Sequence, residues 1–211
     1  TIVYTSPEFQ PYSDTFSDKY VFIGPSIRPT NAVFEKTRKK LVYISMGTVN
    51  NDMTIFYKNC IDAFKDSNYQ VVLSVGSQVD IKHLEEYVTK SKSENKAQFH
   101  VLPWVDQIAV LEKADVFLTH CGMNSVSEAL YFKVPLVMYP QTNEQKGVAF
   151  RVNELGAGIY LNSESISDIQ MATKELLQQS KYKEQANVIS NSFSKCGGSK
   201  AEVEKILDVC S

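Results

Sequence analysis

Short apolar runs alternate with longer stretches of helical spacing along this chain. Residues 40–48 (KLVYISMGT), 70–77 (QVVLSVGS), 99–102, 116–119 (VFLT), 135–140 (PLVMYP) and 158–161 (GIYL) read as strands buried on both faces, and several end on Ser, Gly or Thr. Between them lie predicted helices. One is capped by Asp52 and carries Ile55, Phe56, Cys60, Ile61 and Phe64 on an apolar stripe. Others fall at 81–90, 107–114, 124–132 and 144–155, the last stopped by Gly156. From Ser165 onward further helical segments follow, broken near Ser180 and at Gly197-Gly198, and a Ser/Lys/Asn-rich loop precedes Phe99. Residues 1–35 hold Pro7, Pro11, Pro25 and Pro29 with little periodicity, and read as a linker with one strand at 20–23. Strand and helix in alternation predict an α/β fold, a Rossmann-like parallel sheet with helices on both faces.

Ligands of such sheets bind beyond the carboxyl ends of the strands, where strand order reverses. The stretch 119–145 (THCGMNSVSEALYFKVPLVMYPQTNEQ) fits that place. His120, Cys121 and Gly122 form a turn between a strand and a helix, so free N–H groups and the positive end of the helix dipole make an anion site. Asn124, Ser125 and Glu128 lie three and four apart and share a side of the first turns. Asn124 and Ser125 are donors for a phosphate, whereas the Glu128 carboxylate suits a neutral diol. Glu144 and Gln145 follow the next strand as a second polar pair, and Gly47, Thr48, Ser74 and Gly76 stand at the first two strand tips. Phosphate, diol and another polar pair in one crevice describe a nucleotide-sugar. Neither GxGxxG nor GxxxxGK[ST] occurs, which turns the reading away from dehydrogenases and P-loop ATPases.

Bulk properties narrow the class further. With 211 residues, 43% hydrophobic and 22% charged, the chain has the composition of a globular protein, and a formal net charge of −2 leaves no footprint for nucleic acid. The basic run 36–40 (KTRKK) reads as a solvated loop. No apolar stretch approaches the roughly 20 residues of a membrane helix. Cys60, Cys121, Cys196 and Cys210 lack metal or redox spacings and are expected as free thiols. His83, His100 and His120 lack zinc-ligand spacing, no metal site is expected, and no Asn-X-Ser/Thr acceptor occurs, which together suit the cytoplasm. The chain opens at Thr1 inside a strand-like pattern, and a fragment of a longer protein is expected.

The stretch 104–145, with Trp104, Gln107, HCGMNS, the glutamate of SEAL and the closing Glu-Gln, resembles the donor-binding signature of family 1 glycosyltransferases, most closely the macrolide-type bacterial members. TSPEFQPY, FIGPS, SMGT and ELGAG match as well, while Asp106 departs from the proline usual there. The resemblance implies the carboxyl-terminal half of a GT-B enzyme, with residues 1–35 as linker and end of an acceptor domain and 36–211 as the donor domain. It implies uracil stacked on Trp104, base and ribose read by Gln107 and the Val105 backbone, and the diphosphate touched by His120. It further puts the phosphate next to the ribose on Asn124 and Ser125, the ribose hydroxyls on Glu128, and the transferred sugar, glucose by preference, on Glu144 and Gln145. Gly47, Thr48, Ser74 and Gly76 are assigned to the diphosphate and nucleoside. The resemblance implies a UDP-sugar substrate, a small-molecule acceptor, neither metal nor cofactor, and a catalytic base in a preceding acceptor domain. The alternatives are a non-catalytic nucleotide-sugar-binding subunit or sensor, a natural half-enzyme such as the small subunit of the enzyme that builds lipid-linked chitobiose, and a UDP-sugar epimerase.

Overall fold

The computed structural model describes residues 1–47, 53–91 and 97–210. Two short strands, β1 (Ile2–Val3) and β2 (Val21–Phe22), pair in parallel. They are followed by β3 (Leu41–Ser45), α1 (Thr54–Phe64), β4 (Gln70–Ser74), α2 (Ile81–Ser91), β5 (Gln98–Leu102) and α3 (Gln107–Leu111). Next come β6 (Val116–Thr119), α4 (Met123–Tyr131), β7 (Leu136–Met138), α5 (Asn143–Glu154), β8 (Gly158–Tyr160), α6 (Ile166–Gln178), α7 (Ser180–Lys195) and α8 (Gly198–Cys210). Strands β3 to β8 form one parallel sheet in the order β5-β4-β3-β6-β7-β8. The chain therefore winds outward from β3 in one direction and from β6 in the other. The order reverses between those two neighbours, whose tips are in register at Ser45 and Thr119.

Alternation along each strand divides the core in two. Val42 and Ile44 of β3, with Val116 and Leu118 of β6, face the layer of α1, α2 and α6, while Leu41, Tyr43 and Phe117 face that of α3, α4, α5 and α7. Both faces are covered, and this is why the strands read as continuous apolar runs. Helix α1 buries Phe56, Tyr57, Cys60, Ile61 and Phe64. Ile55, expected on that stripe, is 67% exposed, because the buried arc is centred between positions 56 and 57 and residue 55 lies beyond its edge. Tyr57 replaces it, and its hydroxyl accepts the Met46 N–H at 3.3 Å just after the β3 tip.

The first 25 residues are docked rather than strung out. Phe9 is buried against Phe193 of α7, Ser6 and Ser192 share a 2.7 Å hydrogen bond, and Arg151 of α5 donates to the carbonyls of Glu8 and Phe9. The sparse apolar positions of this segment carry no period, but they find places on α7. The basic run is not wholly solvated either. Lys36 and Lys40 lie 2.5 and 3.3 Å from the two Asp115 carboxylate oxygens, and Asp115 also accepts the Leu41 N–H that begins β3. Thr48, the Asp52 cap and most of the Ser/Lys/Asn-rich loop (92–96) fall outside the described residues. Among the described residues Cys60, Cys121 and Cys196 are free thiols, and no helix is long and apolar enough to cross a membrane.

Candidate functional site

A cleft of about 660 Å³ opens beyond the carboxyl ends of β3, β4 and β6. Its floor is Tyr43, Ser45, Met46, Gly47 and Ser74, and its walls are the Trp104–Gln107 segment, the start of α4 and the start of α5. The expected residues Trp104, Val105, Gln107, His120, Gly122, Asn124, Ser125, Glu128, Glu144 and Gln145 all line it. Gly76 does not. It turns the chain after β4 at φ +77° and spends its N–H on the Pro103 carbonyl.

Two bare glycines hold the His120 ring. A Cβ on Gly47 would lie 2.8 Å from His120 Cε1 and Nε2, and a Cβ on Gly122 would lie 2.8 Å from Nε2. The imidazole thus packs close to the backbone at both glycines, with Nδ1 buried and lacking a well-formed hydrogen bond. Burial lowers its pKa below the usual 6.5, only partly offset by the Ser45 backbone, so the ring is neutral at pH 7. Cys121 makes the turn in the left-handed region at φ 68°, and burial raises its thiol pKa well above the ordinary value. It is therefore a protonated packing residue rather than a nucleophile.

The two helix starts at the cleft differ. Helix α5 is closed by its own capping box, in which Thr142 accepts the Gln145 N–H and Gln145 Oε1 accepts the N–H groups of Thr142 and Gln141. That leaves the Gln145 NH₂ as a donor. Helix α4 has Gly122 at its N-cap and no side-chain cap, and its first intrahelical bond runs from Val126 N to Gly122 O. The N–H groups of Met123, Asn124 and Ser125 therefore lack intrahelical partners where the cleft begins. Open N–H groups and a helix dipole beside a half-buried imidazole form an arrangement that could hold an anion.

Glu128, one turn into α4, is held by its neighbours. Gln107 Nε2 donates to Glu128 Oε2 at 2.6 Å and to Ser125 Oγ at 3.2 Å, while the Tyr43 hydroxyl donates to Gln107 Oε1 at 3.1 Å. Glu128 Oε1 and the remaining lone pairs are what a vicinal diol would use. Trp104 is 67% exposed, so its indole faces the cleft and solvent instead of closing the core. Asp106, standing where proline is usual, caps α3 through the Ala109 N–H at 3.1 Å and binds Thr30 and Arg28 of the amino-terminal segment at 2.9 Å each. Burial opposes its charge, but those three donors outweigh it and hold the carboxyl below 3.8. As the N-cap of α3, Asp106 satisfies one of the helix's open N–H groups.

Sequence reasoning missed several cleft residues, among them Tyr43 and Arg28. Tyr43 sits inside an apolar strand, and only its phenolic oxygen signals a polar task. Arg28 stands in the segment read as linker, where no periodicity marks it.

A family model described as UDP-glucoronosyl and UDP-glucosyl transferase matches residues 31–194. An uncharacterized UDP-glucosyltransferase of Bacillus subtilis (strain 168), YojK, is 38% identical over 99% of this chain and 51% of its own length. The NDP-glycosyltransferase YjiC of the same organism is 37% identical over 98% of this chain and 53% of its own. Among solved structures, the glycotransferase of kitacinnamycin superposes with a TM-score of 0.86 at 29% identity, over 98% of this chain and 54% of that one. The calicheamicin glycosyltransferase CalG4 also gives 0.86, at 26% identity over 99% and 51%. The chain spans about half the length of the curated relatives it matches.

Proposed function

The chain belongs to the UDP-glucoronosyl and UDP-glucosyl transferase family, and from that premise we propose that it is the donor-binding part of an inverting GT-B glycosyltransferase, moving a sugar from UDP to a hydroxyl-bearing acceptor. The observation that carries this reading is the uncapped start of α4 beside His120, one helical turn from a carboxylate pre-oriented for a diol. Uracil stacks on Trp104 beside the Val105 backbone, the ribose diol binds Glu128 with Gln107 next to it, and the diphosphate lies on Asn124, Ser125 and His120. Gly47 and Ser74 shape the floor beneath it. Glu144 and the free NH₂ of Gln145 take the hydroxyls of the transferred sugar, which we assign as glucose.

In this reading the acceptor oxygen attacks the anomeric carbon, the bond to the β-phosphate oxygen breaks, and the electron pair leaves on UDP. The open N–H groups of α4 and His120 stabilise that developing charge, a role that a metal fills elsewhere. A diphosphate beside the imidazole also favours its protonated form, which strengthens the contact as charge develops. The proton from the acceptor goes to a base outside this chain, because Glu128 is committed to Gln107, Cys121 is protonated and His120 lies on the leaving-group side. We place that base and the small-molecule acceptor site in an acceptor-binding part that accounts for the rest of the relatives' length. Residues 36–211 then hold the donor, and 1–35 lead from the acceptor part. Free thiols suit a reducing compartment, and we place the enzyme in the cytoplasm.

Trp104→Ala tests the assignment of the base. It is expected to weaken UDP by about 1–3 kcal/mol, the worth of an aromatic stack on a base, while pyrophosphate affinity, read in the same calorimeter, hardly changes. A parallel loss for both ligands means that the indole supports the cleft wall and stacks on no base.

A further inference from the structure

Tyr43 takes no part in the donor contacts just assigned, yet it is a polar group at the floor of the cleft, and its position fixes what it does. Its ring is buried and stacked on Phe117, with centroids 4.6 Å apart and planes 14° from parallel. The residue lines the cleft, and its hydroxyl donates to Gln107 Oε1 at 3.1 Å. Burial pushes the phenol above its ordinary value of 10, with the side chains of Ser45 and Ser74 pulling the other way, so it is a permanent donor at neutral pH.

Gln107 has an amide with two N–H donors, and both are spent, on Glu128 Oε2 at 2.6 Å and Ser125 Oγ at 3.2 Å. An amide can be held in the opposite sense, but then its carbonyl would meet the carboxylate, acceptor against acceptor. The Tyr43 hydroxyl sits on the carbonyl side and favours the productive sense. Glu128 is thereby held by a donor that is itself held from the strand below. These hydrogen bonds lie in a partly buried site, where each polarises the next.

We propose that Tyr43 is a positioning residue for ribose recognition: through Gln107 it presets the Glu128 carboxylate to accept the ribose diol. The proposal rests on the donor-site reading. Removing the hydroxyl leaves the Gln107 carbonyl facing an apolar ring edge, the amide loses its preferred sense, and Glu128 must be ordered when the nucleotide binds. The loss then falls chiefly on the contact with the 2′ hydroxyl, because the base touches neither group and the phosphate keeps His120 and the N–H groups of α4 even where Ser125 is released.

The test is calorimetric titration of UDP and of 2′-deoxy-UDP into the wild-type chain and Tyr43→Phe, which keeps the stack on Phe117. UDP is expected to weaken about three- to tenfold, the value of one neutral hydrogen bond, and 2′-deoxy-UDP less than about twofold. In a Gln107→Ala background the same Tyr43→Phe change should have no further effect on the ratio, since the link it acts through is gone. An unchanged ratio in Tyr43→Phe, equal weakening of both nucleotides, or a full effect in the Gln107→Ala background each overturns the proposal. Failure of the wild-type chain to bind UDP overturns the donor-site reading as well. Wild-type binding of UDP with no preference over the 2′-deoxy nucleotide overturns only the ribose assignment and this inference with it.

Discussion

Gly122→Ala is expected to weaken UDP binding by at least about tenfold, 1.4 kcal/mol or more, with the fold intact. The backbone at Gly122 has φ −59° and ψ 134°, which alanine adopts freely, so no strain enters through the main chain. The added methyl carbon instead meets His120 Nε2 at 2.8 Å, far inside van der Waals contact. Gly47 crowds the same end of the ring, where a Cβ would also come within 2.8 Å. The ring must leave its seat, and the anion site loses its side-chain donor while the new methyl narrows the approach to the α4 N–H groups. A double-mutant cycle makes the cause visible. Once His120 is alanine, Gly122→Ala should cost little more. A full additional loss in that background means that Gly122 matters for the phosphate approach itself and that the imidazole is a bystander.

Glu128→Ala is expected to cost UDP about 1–3 kcal/mol, roughly ten- to hundredfold, and to abolish the preference for UDP over 2′-deoxy-UDP. In the proposed reading the carboxylate accepts from both ribose hydroxyls, and it is also the partner of Gln107, at 2.6 Å. Its removal therefore strips the diol of its acceptor and releases the amide that stood beside it. The 2′-deoxy nucleotide has already given up one of those contacts and loses less. Titration of both nucleotides into both proteins gives the answer. If the variant keeps the wild-type preference for UDP, the diol is read elsewhere.

How much of the fold and the cleft was legible in the sequence follows from where the determinants lie. The sheet was legible because both faces are covered, which turns each strand into an apolar run such as residues 41–44 or 116–118. The cleft was legible because a strand–turn–helix places His120, Asn124, Ser125 and Glu128 by local geometry alone, and these residues do line one cavity. Determinants formed by packing were not legible. The exchange of Ile55 for Tyr57 on α1 depends on a rotation of the helix that a stripe of alternatives leaves open. The docking of Phe9 on Phe193 joins residues far apart in sequence without any period. The commitment of Gln107 to Glu128, and of Tyr43 to Gln107, arises because β3, α3 and α4 converge at the switch point, which pattern alone does not show. Gly76 looked equivalent to Gly47, yet its N–H is used on Pro103 beside β5, while Gly47 lies under His120.

The most direct measurement is a thermal-shift titration of this chain with UDP and UDP-glucose, run beside a transfer assay with a hydroxyl-bearing acceptor. At 100-fold excess over its dissociation constant a ligand adds about 2.7 kcal/mol, which for a domain of this size raises the melting temperature by roughly 5–10 °C. That shift is predicted, together with no transfer by this chain alone, because displacement needs an acceptor held in line and a base to take its proton. No shift with any nucleotide-sugar would contradict the donor-binding assignment outright, and robust transfer by the chain alone would show that its base lies among the residues assigned to packing.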